Sequence, residues 1–205
     1  MKILSLLTVL LAICLSSSGA MAEVRSAIVA YKDGDENLTG YLYWNDAVEG
    51  KRPGVLVVHE WWGLDDYARS RAQQLAELGY VAFAVDMYGG DKVTSHPAQA
   101  KEWMMATVSN LDAWRSRAQK GLDKLASLAI TDNSRLAAIG YCFGGATVMQ
   151  LAYAGADLRP WSVSTDPCPC RATVKRKTTR AGFWSSTVMP MPLSRPSAST
   201  HSRRR

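Results

Sequence analysis

The stretch Ile139-Gly140-Tyr141-Cys142-Phe143-Gly144-Gly145-Ala146 constrains this chain more than any other. The apolar run Leu136–Ile139 leading into it reads as a buried strand, and Thr147–Tyr153 after it reads as a helix. Gly140 and Gly144 stand two residues before and two after Cys142, the strand-turn-helix pattern G-x-S-x-G with sulfur in place of oxygen. A turn that tight leaves almost no room for side chains at its flanks, which is why glycine belongs there. It lifts the thiol clear of the sheet and aims a helix N-terminus at it, favouring the thiolate. The ordinary alternative is a buried structural cysteine, one of the commonest interior residues. The strand before and the helix after favour the nucleophile.

The rest of the chain supplies a matching architecture. Ser26–Lys32 and Leu38–Trp44 are strand-like runs around Asp33-Gly34, a hairpin signal. Val55–Val58 is a wholly apolar strand of the kind found in parallel sheets, and it runs into His59-Glu60-Trp61-Trp62-Gly63-Leu64. Asp65 or Asp66 caps a helix reaching Leu78, with Ala68, Ala72, Leu75 and Ala76 on one face and Gly79 as its stop. Tyr80–Val85 is the next strand, ending in Asp86-Met87-Tyr88-Gly89-Gly90. Pro97–Met105 and Leu111–Leu128 read as helices before the cysteine strand. Strands alternating with helices give an α/β fold with a doubly wound, mostly parallel sheet, whose sites lie beyond the carboxyl ends of the strands.

Charge divides along the chain. Residues 23–158 carry 13 basic against 17 acidic side chains, whereas residues 159–205 carry ten basic and one acidic. The formal net charge of +6 therefore comes from the tail, and the expected folded part is mildly acidic. A nucleic-acid-binding domain is not expected. Residues 1–22 have a basic start at Lys2, a short apolar run from Ile3 to Leu15 and an A-x-A site at Ala20-Met21-Ala22. They read as a secretory signal peptide, too short for a membrane span, so the expectation is an exported protein, periplasmic or secreted, starting at Glu23. Cys14 after the bulky Ile13 does not fit a lipidation site.

Several residues near the two strand ends are candidates for chemistry. Glu60 directly follows a buried strand and either faces the cleft, where it would pair with the thiol or its proton-carrying partner, or is a loop acid. Trp61 and Phe143 matter for their backbone N–H groups, one from an early loop and one just after Cys142, where an oxyanion hole would form. His59 reads as an end-of-strand structural histidine rather than a base. Asp86 reads as the cap of a strand-to-loop turn rather than an acid, and His96, before Pro97, as a residue at a helix start.

Taken together, V-V-H-E-W-W-G-L, G-Y-V-A-F-A-V-D-M-Y and G-Y-C-F-G-G-A stand in the order and spacing of one family. From Glu23 to Leu158 the chain resembles the dienelactone hydrolases, a family of α/β-hydrolases. The resemblance implies a nucleophile at Cys142, with Glu60 holding the thiol's partner in the resting site. It also implies oxyanion donors at the amides of Trp61, in the early loop, and Phe143, which lies between the elbow glycines Gly140 and Gly144. It implies hydrolysis of a small ester or lactone through an acyl-enzyme, without metal or cofactor; a monomer is expected. Dienelactone-cleaving members carry an arginine after D-M-Y; here that place is Gly89-Gly90, which sets the chain apart from them.

From Arg159 onward, serine, threonine, proline and arginine dominate, and the pattern is that of a basic tail, disordered or out of frame. Cys168-Pro169-Cys170 is a weak metal signal without a second pair. Reading codons one base out forces Leu at the Phe183–Trp184 junction and Ala at both Met–Pro junctions. It permits V-L-V-L-H-G-D-A-D-A-L from Gly182 to Leu193, and a strand with a glycine turn from Trp161 to Arg171. The expectation is a frameshift near Asp157–Trp161 that removes the family's later acid and histidine, leaving His201 as the sole downstream histidine. The alternative to a hydrolase is accordingly an inactive truncated product, or a secreted non-enzymatic binder acting through its basic tail.

Overall fold

The computed structural model describes residues 23–158 and the backbone of one strand at 161–164. The expected leader, Cys14, Cys168, Cys170, His201 and the Gly182–Leu193 segment lie outside the described residues.

The chain runs β1 (Val24–Asp33), β2 (Glu36–Asn45), β3 (Arg52–Val58), α1 (Asp66–Glu77), β4 (Val81–Val85), α2 (Pro97–Val108), α3 (Leu111–Ser127), β5 (Thr131–Tyr141), α4 (Phe143–Tyr153) and β6 (Trp161–Ser164). Six strands form one sheet in the order β1-β2-β4-β3-β5-β6. β1 and β2 are antiparallel around a two-residue turn in which Gly34 has φ +61°, as the Asp33-Gly34 signal predicts. β2 meets β4 antiparallel, and the remaining pairs, β4-β3, β3-β5 and β5-β6, are parallel. This is the doubly wound, mostly parallel α/β arrangement expected from the alternation of strands and helices.

Why the sheet takes helices on both faces is visible in β4. Its five residues are all buried, but they divide by the period of two. Ala82 and Ala84 point to the face covered by α1, where Ala68, Ala72 and Leu64 meet them with Val57. Val81, Phe83 and Val85 point to the other face, against Trp114, Ala118, Leu122 and Leu125 of α3 and Val148 and Leu151 of α4. Small residues bring α1 close to the sheet, and large ones fill the thicker layer beneath α3 and α4. Full burial of a side chain such as Phe83 or Leu56 contributes about 1.5–3 kcal/mol. The Asp65 side chain caps α1 by accepting the Ala68 N–H at 3.1 Å, and Asn110 caps α3 by accepting that of Ala113 at 3.1 Å.

Two segments differ from the sequence expectation. Trp161–Ser164, placed above in the basic tail, adds to β5 in parallel, with Ala138 opposite Trp161. Four residues are too short a run for pattern to register, yet they satisfy backbone groups that β5 would otherwise leave at an edge. The helix after Cys142 begins at Phe143, four residues earlier than expected, because the turn itself launches the helix through Gly144 and Gly145.

Candidate functional site

The site is built by two neighbouring parallel strands that end together. Val58 of β3 lies opposite Gly140 of β5, so Glu60 and Cys142, each two residues further on, leave the sheet at the same edge. Cys142 has φ +52° and ψ −115°, a conformation that side chains rarely adopt, at the junction of β5 and α4. Its carbonyl accepts the first intrahelical bond, from Ala146 N–H at 3.1 Å. The amides ahead of that one, including Phe143, therefore belong to the helix end that has no intrahelical acceptor.

Close backbone approach explains the two glycines. A Cβ on Gly140 would fall 2.8 Å from the Gly145 nitrogen and collide with the Gly144 carbonyl. One on Gly144 would fall 2.6 Å from the His59 carbonyl oxygen and collide with that of Val58. The turn thus locks onto the end of β3, the strand that delivers Glu60. Cys142 and Glu60 are both partly exposed. Glu60 is also near Tyr141, where its charge adds to burial in raising the phenol pKa.

Beneath this edge lies an aromatic cluster. Phe143 is fully buried and stacks on Trp114, with centroids 5.8 Å apart and planes at 10°. It also touches Tyr88 and His59, and Tyr88 reaches Trp103. Trp114 Nε1–H donates to Thr147 Oγ1 at 2.9 Å, and that hydroxyl donates to the Phe143 carbonyl at 3.0 Å. The first turn of α4 is therefore tied to α3 through side chains.

The loop after β3 is tied to the loop after β4. Met87 N–H donates to His59 Nε2 at 3.1 Å, and His59 Nδ1 bonds the Glu60 carbonyl oxygen. Tyr88 O–H donates to the Trp61 carbonyl at 3.0 Å. Thr94 N–H donates to the Trp62 carbonyl at 3.0 Å, and Gly63 bridges to Val93 where a side chain would collide with the Lys92 carbonyl. Burial pushes the His59 pKa down and that of Tyr88 up, so the imidazole stays neutral and the phenol protonated. Asp86 accepts from Tyr88 N–H at 2.8 Å and Gly89 N–H at 3.0 Å, the turn-capping role its position predicts.

The strand ends thus bring Glu60, Trp61, Cys142 and Phe143 to one edge. His59 is buried behind it with both ring nitrogens committed to backbone, as an end-of-strand structural histidine is. His96 is exposed at the start of α2 and bonds Thr94 Oγ1 through its own backbone N–H. Tyr88 escaped the residue-by-residue reading, because nothing in a single sequence says that its hydroxyl reaches Trp61. Among the described residues there is no cluster of metal-ligating side chains, and no helix is long and apolar enough to cross a membrane.

The family model for the dienelactone hydrolase family matches residues 38–160, which spans the whole of this arrangement. The chain belongs to the dienelactone hydrolase family. Its sheet is the N-terminal part of that family's fold. It is 39% identical to the dienelactone hydrolase-like promiscuous phosphotriesterase P91 from metagenomic libraries, with a TM-score of 0.66 over 68% of this chain and 58% of that one. It is 33% identical to protein usf of Aquifex pyrophilus over 54% of this chain and 49% of that protein. A candidate carboxymethylenebutenolidase of Aquifex aeolicus is 29% identical over 49% of this chain and 45% of its own length. The chain spans about half the length of these two curated relatives.

Proposed function

We propose that this dienelactone hydrolase family member cleaves small esters or lactones with Cys142 as its nucleophile. The observation that carries the reading is Cys142 itself, held at φ +52° between glycines whose Cβ positions are filled by backbone. Strain of this kind is kept where it serves a site, because relaxing it would lower the energy of the turn. In the reaction the Cys142 thiolate attacks the ester carbonyl carbon, forming a tetrahedral adduct. The N–H groups of Trp61 and Phe143 stabilise its oxyanion; its collapse breaks the C–O bond, the leaving alkoxide takes a proton from water, and the hydroxide so formed later cleaves the thioester, freeing the acid and the Cys142 thiolate. Glu60, at the same strand edge, holds the thiol's partner in the resting site.

The test uses the full chain and p-nitrophenyl acetate. Cys142→Ala should abolish the burst of p-nitrophenol, with stoichiometric acetylation of the Cys142 peptide in the parent; an undiminished burst in the variant refutes the nucleophile. Because P91 is described as a promiscuous phosphotriesterase, an activated phosphotriester is the second substrate to offer, and Cys142→Ala should remove that reaction too.

A second reading is supported by His59. Both its ring nitrogens are engaged by backbone groups, so it is not offered to Cys142 as a base. On that reading the chain is acylated at Cys142 but turns over slowly or not at all. A burst with no steady state after it supports this, and sustained turnover excludes it.

A further inference from the structure

Trp61 sits between two peptide planes, and each is pinned by a side chain from the buried layer beneath. The Glu60–Trp61 peptide is a planar trans unit with the Glu60 carbonyl and the Trp61 N–H on opposite edges. His59 Nδ1 holds that carbonyl. A backbone amide can only donate, so the Met87 N–H at 3.1 Å from Nε2 makes Nε2 the bare nitrogen and puts the ring proton on Nδ1. The bond to Glu60 is thus a donated one, its tautomer fixed from the loop after β4. The Trp61–Trp62 peptide is pinned in turn by the Tyr88 hydroxyl, 3.0 Å from the Trp61 carbonyl. The two clamping rings pack on each other edge to face at 4.9 Å, and Asp86 holds the backbone amide of Tyr88.

A loop peptide left free could rotate and present its carbonyl where an N–H is needed. With both flanking carbonyls held, the Trp61 N–H keeps one direction before any substrate arrives. An oxyanion donor needs this, since its benefit comes from being oriented in advance. We propose that His59 and Tyr88 are positioning residues that act through the backbone to aim the Trp61 N–H at the oxygen of the substrate carbonyl. The inference rests on the reading of Cys142 and Trp61 given above.

The experiment compares two reactions of the same thiol in the full chain. Acylation by p-nitrophenyl acetate builds an oxyanion, whereas alkylation by iodoacetamide, followed at the Cys142 peptide, builds none. Tyr88→Phe keeps the ring and loses the hydroxyl. It should slow acylation about tenfold or more, a fraction of what losing an oxyanion donor outright costs, while alkylation stays within about twofold. His59→Leu should do the same, and His59→Asn, whose amide N–H can stand where Nδ1–H stood, should restore most of the acylation rate. Tyr31→Phe is the control: it removes another buried hydroxyl, which donates to the Asp86 carbonyl at 3.2 Å, and should leave the ratio unchanged. Should His59→Leu fail to fold, the native alkylation rate of Tyr88→Phe still supplies the comparison. The proposal is overturned if Tyr88→Phe slows both reactions equally or neither. A burst that persists in Cys142→Ala would instead sink the nucleophile reading. A burst that needs Cys142 while Tyr88→Phe leaves the ratio unmoved sinks the clamp alone.

Discussion

Gly144 packs against the carbonyl of Val58 so closely that the glycine has no space for a Cβ. The contact joins the first turn of α4 to the end of β3, and with it the cysteine turn to the loop carrying Glu60 and Trp61. Position 144 cannot accept alanine without moving one of two backbones. Gly144→Ala should therefore destabilise the fold by about 1–3 kcal/mol and slow iodoacetamide labelling of Cys142. Urea unfolding together with the labelling rate checks this, and a variant matching the parent in both would show that the turn yields freely.

His59 gives stability a defined pH dependence. In the unfolded chain its imidazole takes a proton near pH 6.5, whereas burial in the folded chain holds it neutral to lower pH. Between those values the unfolded state binds the more protons. The stabilisation is then complete above about pH 6.5 and is lost as pH falls toward the depressed folded value. Protonation would also set an Nε2–H against the Met87 N–H. The melting temperature of the parent should fall across this window more steeply than that of His59→Asn, which cannot titrate. Parallel curves for the two proteins would contradict the assignment.

The Trp114–Thr147–Phe143 chain predicts a coupled pair. Thr147→Val leaves the buried Trp114 N–H without its acceptor, at a cost of about 1–3 kcal/mol. Trp114→Phe removes the donor and part of the stacking surface on Phe143. The double variant should be less destabilised than the sum of the singles, by about 0.5 kcal/mol or more, since the orphaned N–H is gone. Strict additivity in denaturant unfolding would mean the two side chains act independently.

The small residues of the α1 face make a further prediction. Ala84 is fully buried in β4 against the layer of Ala68, Ala72 and Leu64. Ala84→Leu adds volume where the helix already lies close and should cost about 1–3 kcal/mol, read as a lowered urea midpoint. Tyr41 and Tyr43 are only partly buried at the margin of the same layer. Tyr43→Phe should therefore change the stability by less than about 0.5 kcal/mol.

The elements were legible in the sequence to the extent that short-range rules form them. Asp33-Gly34 announced the β1–β2 turn, Asp65 or Asp66 the start of α1, and the apolar runs of β3 and β4 a sheet buried on both faces. Cys142 between Gly140 and Gly144 announced the strand-turn-helix for the same reason, since all three lie within a short stretch of chain. What stayed hidden was long-range. Met87 to His59 and Tyr88 to Trp61 are each more than twenty residues apart, and β6 is too short to show a period.

By itself, then, the sequence determined the α/β class, the turn at Cys142 and the two strand ends where chemistry can gather. Each of these follows from local sterics, capping and the period of apolar side chains. Only the tertiary structure decided that Val58 lies beside Gly140, which brings Glu60 and Cys142 out at the same edge of the sheet, and that His59 and Tyr88 hold the peptides around Trp61. Those relationships depend on strand register and on buried hydrogen bonds closed across the fold, which exist only once the sheet has assembled.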